Sequence, residues 1–178
     1  MAIELVDPAR AAVADYLATL RSTAGVAWTR AENLHLTLKF LGNVPTARID
    51  ELTARLREAT AAAAAFTMTV AGVGAFPNVA CPRILWVGCK APSLPALAAA
   101  VDAACVRCGF AAEERPFHPH VTLGRVREGK RGSFPFLAAD GSRDFGASAA
   151  SAVVLFASQL GSGGARYTPL ATLPLAVH

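Results

Sequence analysis

Two copies of one tetrapeptide, His35-Leu36-Thr37-Leu38 and His120-Val121-Thr122-Leu123, carry the residue types best suited to chemistry in this chain. In an extended strand successive side chains point to opposite faces. Each copy therefore presents His and Thr on one face and aliphatic residues on the other. Histidine titrates near neutral pH, so one ring can take a proton from water while a second, already protonated, gives one to a leaving oxygen. Threonine two residues on shares that face and can bond a phosphoryl oxygen or orient the ring. A single histidine on a strand is more commonly structural; repetition with its threonine favours an acid and a base in one symmetric cleft. Such a pair suits a phosphodiester whose leaving group is a sugar oxygen, above all a strained cyclic phosphate, and needs no metal. The runner-up is a metal held by His118 and His120, which share a strand face, although Glu113 and Glu114 are the only nearby acids. Ser/His/Asp hydrolysis is weaker still, because the sequence has no G-x-S-x-G elbow.

The elements that must position these residues can be read from periodicity. Asp7-Pro8 opens a helix over residues 8–21, with Val13, Tyr16, Leu17 and Leu20 at helical spacing. The first His strand runs over 34–41 and stops at Gly42-Asn43. Thr46 caps a second helix with Ile49, Leu52, Leu56 and Ala59 on one stripe. Residues 66–73 and 83–89 read as strands, joined through a loop at 74–78. A third helix starts at Ser93, carries Leu94, Leu97, Val101 and Cys105 on one stripe, and ends at Gly109. After the second His strand come a Gly/Ser/Arg-rich connector at 127–148 and strands at 152–160 and 167–175. Few strand-helix alternations and several neighbouring strands predict an α+β fold. It would be bilobal, with two antiparallel sheets, outer helices and a pseudo-twofold duplication that sets the two His strands side by side. No segment reads as a linker, so residues 1–178 are expected to form a single domain.

The 178 residues are 53% hydrophobic, enough for a packed core without disulfide or metal staples. No apolar run spans a bilayer, and the first residues lack the features of a signal peptide, so a cytoplasmic protein is expected. Seventeen basic against thirteen acidic residues leave a net charge of +4. That favours an anionic partner but falls short of a dense nucleic-acid surface. Basic residues concentrate from Arg125 through Lys130 to Arg131, just after the second His motif. Cys105 and Cys108 have C-x-x-C spacing, yet they lie in a helical pattern with no strand before them, and read as structural thiols.

With these residues in view, the chain resembles the two-histidine (2H) phosphoesterase superfamily, in particular the RNA 2′,3′-cyclic phosphodiesterases, also called 2′-5′ RNA ligase-like proteins. The resemblance rests on two blocks: Trp28 to Gly42 around the first motif, and Phe117-His118-Pro119-His120-Val121-Thr122-Leu123-Gly124-Arg125 around the second. Gly74-Ala75-Phe76-Pro77, the run from Pro82 to Gly88, Ser158 and Tyr167-Thr168-Pro169-Leu170 extend it over nearly the whole chain. It implies two H-x-T-x strands lining a central cleft, and opening of a 2′,3′-cyclic phosphate on RNA ends or cyclic nucleotides to leave a 2′-phosphate. By reversal it implies some 2′-5′ ligation, with neither metal nor other cofactor and no obligate protein partner. His35 would be the general acid, His120 the general base, Thr37 and Thr122 the holders of phosphoryl oxygens, and Arg125 the cation that offsets growing charge. Strict alternation turns Arg125 away from His120, toward the face of Val121 and Leu123, unless Gly124 marks a bulge or strand end. Lys39, which alternation groups with His35 and Thr37, is the alternative cation.

Overall fold

The computed structural model describes residues 1–129, 134–161 and 164–177. Lys130 and Arg131 of the basic run lie outside the described residues. Among the described residues, nine strands form one strongly curled antiparallel sheet. They are β1 (Ala2–Glu4), β2 (Val26–Trp28), β3 (His35–Thr37), β4 (Phe66–Phe76), β5 (Ile84–Lys90), β6 (His120–Val126), β7 (Asp144–Ala150), β8 (Ala152–Gly161) and β9 (Gly164–Pro174). Their spatial order is β7-β4-β5-β6-β3-β1-β8-β9, with β2 also paired to β6 beside β3. The two expected sheets thus meet edge to edge, and the strands that join them are the two that carry the histidines.

The helices α1 (Ala9–Leu20), α2 (Ile49–Ala61), α3 (Ser93–Arg107) and α4 (Phe136–Ala139) accompany the sheet. The stripes read from spacing are the buried ones: Val13, Tyr16, Leu17 and Leu20 on α1, Leu52 and Leu56 on α2, and Leu94, Leu97, Val101 and Cys105 on α3. Gly109, at φ +76°, ends α3 with its N–H on the Val106 carbonyl while Phe110 reaches back to Cys105. Helix α1 packs on β7, and Tyr16 Oη donates to Asp140 Oδ2 at 2.8 Å just before that strand. Among the described residues, no helix is long and apolar enough to cross a membrane.

The structure departs from the periodicity reading in several places. Strand β2 has no counterpart in it, and the N-cap of α2 is Arg48 rather than Thr46, with no side-chain cap bond. The first His strand covers only His35–Thr37, because the chain leaves regular pairing at Leu38. The strand begun at Phe66 continues through the expected loop to Phe76, since β5 pairs with it as far as Ile84. The 127–148 connector contains α4 and most of β7, whose Gly, Ala and Ser residues carry little strand signal and pair because β4 offers an open edge. Cys89, Cys105 and Cys108 are buried free thiols; burial pushes Cys89 up to about 12 and Cys105 up to about 11, far from the thiolate that redox or metal chemistry needs.

Candidate active site

Strands β3 and β6 run antiparallel with Leu36 paired to Val121, both fully buried on the core side. Counting outward from that pair sets His35 opposite Thr122 and Thr37 opposite His120. Two imidazoles and two hydroxyls therefore alternate around a pseudo-twofold axis on one face. His120 Nδ1 lies 2.6 Å from the carbonyl oxygen of His118, two residues before it. At the equivalent place in the first copy the Asn33 backbone favours the charged form of the His35 ring. A carbonyl only accepts, so His120 Nδ1 carries the hydrogen and Nε2 is the nitrogen left free for substrate.

Aromatic rings wall both histidines. His35 stacks on Phe156 at 5.8 Å and meets the Tyr167 ring edge-on at 4.8 Å. His120 meets Phe76 at 5.0 Å and Trp86 at 6.4 Å. Gly74 admits the Trp86 indole, because a Cβ there would lie 2.3 Å from the ring. Burial behind these walls lowers the pKa of both imidazoles below the ordinary value of 6.5; His118 and Arg125 lower His120 further, and each backbone bond opposes the shift. Phe76, Trp86, Phe156 and Tyr167 carried no role in the sequence reading. Strand pairing puts Phe156 and Trp86 on the histidine face, a relation that alternation within each strand does not reveal by itself.

Two bulges decide where the cations go. The N–H groups of Leu38 and Lys39 both donate to the Met1 carbonyl, at 2.9 and 3.3 Å, so two residues of one strand face a single residue of the other. Lys39 thereby joins Leu38 on the buried side, where its ammonium bonds Asp102 and the Ala111 carbonyl. The alternation that grouped Lys39 with His35 and Thr37 ends before reaching it, and its charge is committed to Asp102. In β6 the register shifts between Leu85 and Trp86: Trp86 faces Thr122, but Leu85 faces Gly124, leaving Leu123 as the extra residue. Arg125, opposite Ile84, is returned to the face of Trp86 and His120, and its charge acts on the His120 ring. The redirection conceived for Gly124 is what the register shows. Both bulges fall three and four residues after a histidine, so Phe40, 76% exposed, is the counterpart of Arg125 in the first copy. His118 contacts the Phe76 ring rather than a ligand set, and among the described residues no three His, Cys, Asp or Glu side chains cluster as metal ligands would.

A family described as LigT-like phosphoesterase matches residues 3–86 and, a second time, 87–167. The chain belongs to this family. The first match holds His35 and the second His120, so the duplication read from the motifs coincides with two family repeats of the LigT-like, two-histidine type. An Archaeoglobus fulgidus protein named RNA 2′,3′-cyclic phosphodiesterase is 37% identical over 128 residues, 71% of each chain. The Escherichia coli protein of that name is 33% identical over 146 residues, 79% of this chain and 74% of that one. A third, from Geobacillus stearothermophilus, is 33% identical over 132 residues, 73% of this chain but only 42% of the longer relative. Among solved structures, TT0787 of Thermus thermophilus superposes with a TM-score of 0.84 at 26% identity, covering 98% of this chain and 95% of that one. Escherichia coli LigT complexed with 3′-AMP gives 0.78 at 29% identity, with 98% and 95% covered. The LigT-like fold therefore extends over essentially the whole chain.

Proposed function

We propose that this LigT-like phosphoesterase hydrolyses 2′,3′-cyclic phosphates at RNA ends to 2′-phosphomonoesters by two-histidine acid–base catalysis. The observation that carries the reading is the pair of imidazoles on adjacent antiparallel strands, each facing the other copy's threonine, with His120 held by the His118 carbonyl. His120 Nε2 takes a proton from water as the water oxygen bonds phosphorus. The P–O3′ bond breaks, and protonated His35 delivers its proton to the departing O3′, so phosphate stays on O2′. Thr37 and Thr122 hold the non-bridging oxygens, and Arg125 offsets their charge in the transition state. With a 5′-hydroxyl in place of water, the same steps join two RNA ends through a 2′-5′ linkage. The relatives named RNA 2′,3′-cyclic phosphodiesterase support the substrate class, and free thiols at Cys89, Cys105 and Cys108 fit a reducing, cytoplasmic workplace.

The test is product analysis on nucleoside 2′,3′-cyclic phosphates in the presence of EDTA. The expected product is the 2′-monophosphate, formed at a rate the chelator does not change. Replacing either His35 or His120 by Ala should lower turnover by about 10²–10⁴. A 3′-phosphate product, chelator-sensitive turnover or wild-type rates in both variants would each overturn the mechanism.

A further inference from the structure

Two cavities flank the histidine pair, and they differ in chemistry. Beside His120 lies a space of about 570 Å³ with Val73, Trp86, Pro92 and Pro95 among its walls and, among the described residues, Lys90 as its one Lys or Arg. Beside His35 lies one of about 470 Å³ lined by Arg30, Glu32, Asn33, Ala165, Arg166 and Tyr167. This second cavity adjoins the first histidine through Tyr167, one of its lining residues, whose ring meets the His35 ring at 4.8 Å. Its shape is fixed by the Asn33 amide, which donates to the Ala165 carbonyl at 2.9 Å and ties the turn before β3 to β9. Arg30 and Arg166 line it together with one carboxylate-bearing residue, Glu32. Glu32 lies 3.6 Å from Arg30, but both side chains are more than half exposed, so the pair is weak and leaves Arg30 available to an anion.

In the proposed reaction the leaving oxygen next to His35 belongs to the ribose, which sets that ribose on the side of the cationic cavity. What distinguishes an RNA end from a cyclic mononucleotide is a further phosphodiester on the 5′ oxygen of the same ribose, one nucleotide's backbone away. Guanidinium groups bind such an anion through paired, charge-assisted hydrogen bonds. The geometry points to the Arg30–Arg166 cavity as the site for that 5′-side phosphodiester, making the enzyme selective for oligonucleotide ends over cyclic mononucleotides. The inference rests on the proposed phosphodiesterase activity and names the substrate feature that it reads.

Cytidine 2′,3′-cyclic phosphate with a free 5′-hydroxyl is compared with a dinucleotide, CpC, ending in the same cyclic phosphate. The wild-type kcat/KM should favour the dinucleotide roughly tenfold for each guanidinium contact made. In Arg30→Ala and Arg166→Ala the ratio of the two values should fall toward one, as it should for the wild type in about 0.5 M salt, where screening is strong. Arg30→Lys should retain part of it. Reading the ratio cancels any general loss of fold or catalysis. Equal turnover of both substrates by the wild type, or a preference that survives both alanine variants, overturns the subsite while leaving the phosphodiesterase reading intact. Failure to hydrolyse either substrate overturns that reading instead.

Discussion

Burial lowers both imidazole pKa values, and this decides when the pair can work. The reaction needs one ring neutral and the other protonated, a state whose population peaks between the two pKa values and falls on either side. Since both lie below 6.5, the bell-shaped profile of kcat/KM, which reports the free enzyme, should be centred on the acid side of 6.5. A bound cyclic phosphate brings a negative charge against the rings and favours the imidazolium, so the alkaline limb of kcat should lie at higher pH than that of kcat/KM. Steady-state rates on cytidine 2′,3′-cyclic phosphate from about pH 4.5 to about pH 8.5 check both statements. A kcat/KM optimum well above about 7 would mean that the rings are not desolvated as the aromatic walls imply. The facing of His35, Thr37, His120 and Thr122 was legible because alternation is a local property of a strand. The walls that tune the rings were not, because Phe76 and Phe156 arrive from strands distant in sequence.

The two bulges are properties of strand pairs, which is why alternation misjudged Lys39 and left Arg125 undecided. Nothing in Leu38-Lys39 says that two residues will face one, and Gly124 offers a bulge in the second copy without fixing it. The second bulge rests on the missing side chain of Gly124: a Cβ there would lie 2.8 Å from Val26 Cγ1, 2.9 Å from Trp28 Cε3 and 3.1 Å from the Ala27 carbonyl oxygen. Gly124→Ala must therefore push β2 away from β6, at a cost of about 1–3 kcal/mol typical of overpacking. Because Arg125 pairs with Ala27 on the shifted strand, turnover should fall, as it should in Arg125→Ala, whereas the imidazoles, two strand positions or more away, should keep their pH profile. Urea unfolding and kcat measured on the same variant test this. An unchanged midpoint together with unchanged turnover would show that β2 does not set the arginine's position.

At the scale of the molecule, the two family repeats are interleaved rather than laid side by side. Strand β1 pairs with β8, β3 with β6 and β4 with β7, while α1 packs on β7 and α2 on α3, β8 and β9. The sequence showed the duplication and the antiparallel, helix-covered class, because motif spacing and element order are linear. Strand order is not linear, and the joining of two sheets through β3 and β6 depends on which edges remain open once the hairpins close. This interleaving has a thermodynamic consequence. Neither repeat can lose its structure without removing the sheet partners and helix contacts of the other, so the repeats have no separate cores to unfold one at a time. Activity, the fluorescence of Trp28 and Trp86 beside β6, and the far-UV dichroism of the helices should be lost at a single urea midpoint. Activity vanishing well before the dichroism would mean that the β3–β6 seam opens while the flanking sheets persist, and that the two histidines are brought together by a contact weaker than the rest of the fold.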